Sequence, residues 1–190
     1  MKRNVHSQEF PDVSSAAAAV KAGDSIWFNG NASATAEFAR ALSDRRELKN
    51  VTIVSTSYIP AETLSILEGT KNIKFISGMG GAFTQVCESN RAYILKATAP
   101  TIVNMLCREF KINTVITQTS YPVGDGRCAL PSKCAALTAA IASENCIAKR
   151  IAILSDEICP PSELPGTAEL TLDSFELVCE MGYTKQVSIA

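Results

Sequence analysis

Short runs of β-branched and apolar residues alternate with helical stretches along most of this chain, and that alternation constrains the fold more than any other feature. Ser25 to Asn29, Val51 to Ser55, Ile73 to Ser77, Thr114 to Thr119 and Arg150 to Leu154 read as strands. Their Val, Ile and Thr side chains pack well on a pleated surface and lose rotamer freedom in a helix. A shorter strand is expected around Tyr93 to Leu95. Helices are expected over 14–22, capped by Asp12 or Ser14 and ended by Gly23, and over 34–44, where Ala34, Phe38, Ala41 and Leu42 share one face. Further helices are expected after Pro60, over 82–88, over 98–110, and over 131–144 opened by Pro131. Strands joined through helices imply βαβ units: an α/β fold with a largely parallel sheet and helices on both faces. Residues 1–159 read as one domain; 160–166 (PPSELPG) read as a linker and the rest, to 190, as a C-terminal extension.

Composition excludes several function classes. Net charge is −1, without the basic stripe of a nucleic-acid binder. No apolar run approaches the roughly 18 residues of a membrane span. The first residues, MKRNVHSQEFPD, have no apolar run behind them and do not read as a secretory signal. The seven cysteines, Cys87, Cys107, Cys128, Cys134, Cys146, Cys159 and Cys179, are odd in number and widely spaced, with no C-x-x-C pair. They read as reduced, buried small hydrophobes of a cytoplasmic protein, with no metal site. His6 is the single histidine, so a Cys/His or Ser/His/Asp arrangement would have to recruit it from near the terminus.

Ligands of such folds sit beyond the carboxyl ends of the strands, which selects three loops. The first is Asn29 to Ser33. Its Gly30 permits a tight turn and close approach of backbone, and the next helix start offers unpaired N–H groups to an anion. A plain turn capped by Asn31 or Ser33 explains the same residues. The second is Ser77-Gly78-Met79-Gly80-Gly81-Ala82. It is not a G-x-G-x-x-G fingerprint, has no acidic residue placed for a ribose, and lacks a P-loop lysine. It reads as a turn bringing backbone close to a ligand or a neighbouring helix. The third runs from Gln118 to Leu130, with Pro122 and the Gly124-Asp125-Gly126 turn. A structural turn accounts for the proline and glycines, but not for Gln118 and Ser120 at a strand end.

The third loop resembles the Q-x-S-P-P-D-x-x-G-x-C-S-L signature in the N-terminal domain of the acetyl-CoA hydrolase/acyl-CoA transferase family, which includes acetate, succinate and 4-hydroxybutyrate CoA-transferases. Gln118, Ser120, Pro122, Gly126, Cys128 and Leu130 fall in register, while Tyr121 and Val123 depart from it. Ala19 to Asp24 followed by Ile26 to Ala32 resembles the family's opening motif, and Leu48 to Ile53 resembles its second strand. The resemblance implies a NagB/RpiA/CoA-transferase-like α/β domain. It also implies backbone oxyanion stabilisation at Gly30, Asn31 and Ala32 and a substrate-binding role for Ser77, Gly78, Gly80, Gly81, Gln118 and Ser120. In the family the nucleophilic glutamate lies in a C-terminal domain, which is expected to be missing from this chain. Glu88, in the order Cys-Glu-Ser-Asn, is a poor match to another class's nucleophile motif.

The chain is therefore expected to be half of a CoA-transfer enzyme, completed by a second CoA-transferase-like domain or by its own dimer. No cofactor is expected to be covalently bound; a coenzyme A thioester is the expected substrate. The alternative is a non-catalytic module of the same fold that binds a small carboxylate, an acyl-CoA or a protein partner. A third reading, a sugar-phosphate isomerase or deaminase, lacks the basic phosphate clamp it would need.

Overall fold

The computed structural model describes residues 9–55, 66, 73–77, 92–94, 99–132, 134–163 and 166–181. The β-branched runs form strands β1 (Ser25–Asn29), β2 (Val51–Ser55) and β3 (Ile73–Ser77), with β4 (Ala92–Ile94) beside them. Strands β5 (Thr114–Thr119), β6 (Arg127–Ala129), β7 (Lys149–Leu154), β8 (Glu169–Thr171) and β9 (Leu177–Glu180) follow. Helices α1 (Val13–Ala18), α2 (Ala32–Ser43), α3 (Ala99–Arg108) and α4 (Ala135–Ala142) lie between them.

Seven strands build one sheet in the order β4-β3-β2-β1-β5-β7-β9, and each neighbouring pair is parallel. Side chains of a strand alternate between faces, so each strand feeds two cores. Ile26, Phe28, Ile53, Ile116, Ile151 and Ile153 meet Val13 and Ala16 of α1 and Phe38 and Leu42 of α2. Trp27, Val54, Ile76 and Val115 face the other way, against Ile102 and Leu106 of α3 and Ile141 of α4. The result is the expected α/β fold, a parallel sheet with helices on both faces.

Several boundaries differ from expectation, each for a local reason. Helix α1 stops at Ala18; its cap is Asp12, whose Oδ1 accepts the Ser14 N–H at 3.0 Å. Helix α2 opens two residues early, at Ala32. Pro131 does not open α4. Leu130 still donates its N–H to Ala168 O at 3.1 Å, and Cys134 then takes a left-handed φ of 62° that no right-handed helix can include. The extension expected after residue 160 is integrated in the fold as far as Met181. Strand β8 pairs antiparallel with β6, and β9 completes the main sheet beside β7, with Cys179 fully buried against the α1 core. The helix expected after Pro60 is represented by Ile66 alone, and the one expected over 82–88 lies outside the described residues.

Candidate functional site

Successive connections leave β1 toward β2 on one side of the sheet and leave β5 toward β7 on the other. The direction reverses between β1 and β5, and the crevice outside the carboxyl ends of such a strand pair is where open α/β sheets bind ligands. Asn29, the last residue of β1, is in register with Thr117, so Gln118 projects from the end of β5 at this switch point.

Gln118 is fully buried, and both ends of its amide are engaged. Its Oε1 accepts the Asn31 backbone N–H at 2.7 Å. Its Nε2 donates to Glu157 Oε2 at 3.2 Å, and the Ser33 hydroxyl donates to the same oxygen at 2.6 Å. The two neighbours fix the amide's orientation: a backbone donor demands the carbonyl, and a carboxylate demands the NH2. Asn31 and Glu157 are exposed, so the network runs from the buried strand end outward to solvent. No ion pair reaches Glu157 among the described residues.

Glu157 was not among the residues singled out from sequence. The signal was present: Ser155-Asp156-Glu157 directly follows β7, so the strand-end rule that selected the other loops also selects this one.

The structure brings Gly30, Asn31, Ala32 and Gln118 together. Of the three backbone donors expected to stabilise an oxyanion, Asn31 N–H is occupied by Gln118 in this state. Asn31 sits at the N-cap of α2 without a side-chain capping bond. Gly30 is buried, and a Cβ there would lie 3.2 Å from a Phe28 ring carbon and 3.3 Å from Ala34 Cβ. The glycine is thus needed for close packing of strand end against helix start, whatever else it does.

Ser120 sits apart from this network. Its hydroxyl accepts the Ala129 N–H at 2.9 Å and donates to Tyr121 O at 2.9 Å, while its N–H donates to Ala129 O at 3.0 Å. These bonds close the excursion between β5 and β6, whose turn needs Gly126 at φ 83°. The Tyr121 hydroxyl ties the same excursion to Glu180. On the opposite sheet face, Trp27 Nε1 and Asn29 Nδ2 both donate to Thr138 Oγ1, at 3.0 and 2.8 Å, and anchor the end of β1 to α4. Ser77 ends β3 beside Ser55 and Ile94, while Gly78, Gly80, Gly81, Glu88 and His6 lie outside the described residues.

Burial pushes the Cys128 thiol up to about 12 and the Cys179 thiol up to about 11. A nucleophilic thiol needs the opposite shift. Among the described residues no group of three or more His, Cys, Asp or Glu side chains is placed to hold a metal, and no helix is long and apolar enough to cross a membrane.

The sequence matches no protein-family model and no curated protein. Solved structures do match. RipA from Yersinia pestis superposes with a TM-score of 0.71 at 14% identity, over 94% of this chain and 44% of that one. The fold is CoA-transferase-like. A 4-hydroxybutyrate CoA-transferase from Porphyromonas gingivalis matches with a TM-score of 0.62 at 15% identity, over 94% of this chain and 41% of its own. The alpha subunit of a malonate decarboxylase from Acinetobacter baumannii gives 0.62 at 15%, over 88% and 32%. This chain therefore spans less than half the length of each CoA-transferase-like neighbour named here.

Proposed function

We propose that this chain is a CoA-transferase-like half domain that supplies the acyl or carboxylate side of a CoA-transfer site. A second domain of the same kind completes the site. One observation carries the reading: a fully buried glutamine amide holds the Asn31 N–H at the switch point of a CoA-transferase-like sheet. In this reading the oxygen of an acyl group or carboxylate replaces Gln118 Oε1 at that N–H. Charge developing on the oxygen is then met by a donor already fixed in place, which is where such a donor lowers a barrier. The coenzyme A thioester is substrate, and the nucleophile comes from the completing domain.

A second reading, a non-catalytic module that binds a small carboxylate, an acyl-CoA or a protein, draws on the same network. The Asn31 donor is already satisfied, and the Glu157 carboxylate stands where a second anion would have to approach. A sugar-phosphate enzyme is disfavoured for the same reason, since a phosphate would meet that carboxylate with no cation paired to it among the described residues.

Native mass spectrometry of the chain purified gently from its own cells tests the choice, followed by exchange of labelled acetate into acyl-CoA. A stoichiometric CoA-transferase-like partner with exchange activity, lost at least tenfold in Gln118→Ala, supports the half-enzyme reading. Stoichiometric acyl-CoA binding without exchange supports the module. Neither exchange nor binding overturns both.

A further inference from the structure

We infer that Glu157 makes the proposed site selective for acyl groups without a second negative charge, so that monocarboxylic acyl groups are accepted and dicarboxylic ones are turned away. The inference rests on the reading that an acyl oxygen takes the place of Gln118 Oε1 at the Asn31 N–H. It adds to that reading the class of acyl group.

The network fixes where the charge stands. The Gln118 amide spans the gap between the Asn31 N–H, 2.7 Å from its Oε1, and Glu157 Oε2, 3.2 Å from its Nε2. An acyl oxygen bound in place of Oε1 therefore lies one amide width and one hydrogen bond from the Glu157 carboxylate. A second carboxylate further along the same acyl chain remains close enough to Glu157 to feel its charge at physiological ionic strength.

The carboxylate is held but not neutralised. The Ser33 hydroxyl donates to the same Oε2 at 2.6 Å, and the Glu157 N–H donates to the hydroxyl of buried Ser155 at 3.2 Å. Ser33, Gln118 and Ser155 are all neutral, so they position the charge without cancelling it. Among the described residues no ion pair reaches Glu157 or the exposed Asp156 beside it. The facing loop, Gly30 to Ser33, carries no charged side chain. A like charge set against a ligand's charge costs affinity, and a site discriminates by what it repels as well as by what it binds.

The test compares butyryl-CoA with succinyl-CoA, which share the coenzyme and the length of the acyl carbon chain and differ in terminal charge. Titration calorimetry uses the full chain with whatever partner it carries when purified from its own cells. At low salt butyryl-CoA should bind about tenfold more tightly than succinyl-CoA, and the ratio should shrink as sodium chloride is raised. That salt series needs no variant. Glu157→Gln keeps an oxygen that accepts from Ser33 and Gln118 but removes the charge. There the ratio should fall below about threefold, because succinyl-CoA gains affinity. A ratio that small in the unsubstituted chain, a ratio insensitive to salt, or a ratio that persists in Glu157→Gln overturns the inference and leaves the proposed function standing. Binding of neither thioester overturns both.

Discussion

Replacing Gln118 by leucine separates the amide's bonds from its volume. Leucine fills nearly the same space, so little cavity opens, but both hydrogen bonds disappear. The bond from Asn31 N–H is neutral and worth about 1 kcal/mol; the bond to Glu157 is charge-assisted and worth about 1.5–3 kcal/mol. Both partners are exposed and regain water, which places the sum near the lower end, about 2.5 kcal/mol. The leucine's own burial offsets up to about 1 kcal/mol. The net expectation is a loss of about 1.5 kcal/mol, or roughly 3–6 °C in unfolding midpoint for a domain of this size. Urea unfolding of Gln118→Leu, Glu157→Ala and the double variant reads it directly. The double variant should cost about 1 kcal/mol less than the two singles together, because the shared bond is lost only once. Additivity within about 0.3 kcal/mol, or an unchanged stability in Gln118→Leu, would refute the network as drawn.

Further outcomes follow from neighbouring features. Thr138→Val keeps shape but removes the acceptor that the Trp27 and Asn29 side chains share, so it should lower stability by about 1–3 kcal/mol in urea unfolding. Gly30→Ala forces a Cβ against the Phe28 ring and the first turn of α2. Neither neighbour yields readily, and a thermal melt should show a loss of about 1–2 kcal/mol. Alkaline titration should weaken the fold. Cys128 and Cys179 bind their protons more tightly folded, near 12 and 11, than at the ordinary 9.0 of an open chain. Their contribution is whole below pH 9.0 and is lost as pH climbs through those values. Urea unfolding along that series should show a shallower decline in Cys128→Ala.

Six strands of the central sheet were legible to the residue or within one, five of them because β-branched runs declare themselves locally. What escaped was set by distance. Strand β6 is three residues long and finds its partner β8 some forty positions on, so no local pattern announces the pair. The strand-like alternation from Leu170 to Glu180 is visible in the sequence, but the place of β9 in the main sheet is not, where Cys179 seats it in the core. At the site, Gln118 stood out because a buried strand rarely ends in an amide. The Asn31 N–H was also legible, from the loop after β1 and the helix start that follows it, but Glu157 was not: it is an ordinary acidic residue until the β5–β7 pairing brings it beside the amide.

The sheet's order also sets when the domain can finish folding as it is made. Strand β7 carries Ile151, Ala152, Ile153 and Leu154, all fully buried, and until residues 177–180 leave the ribosome it is the bare margin of a parallel sheet. Nothing synthesised earlier takes that place, and the closing strand then meets the first described residues, where Glu180 N–H bonds to Pro11 O at 2.8 Å. A nascent chain whose emerged portion ends between residues 155 and 176 would thus present an apolar edge, and arrest at that stage is where chaperone capture or sticking to other nascent chains should peak.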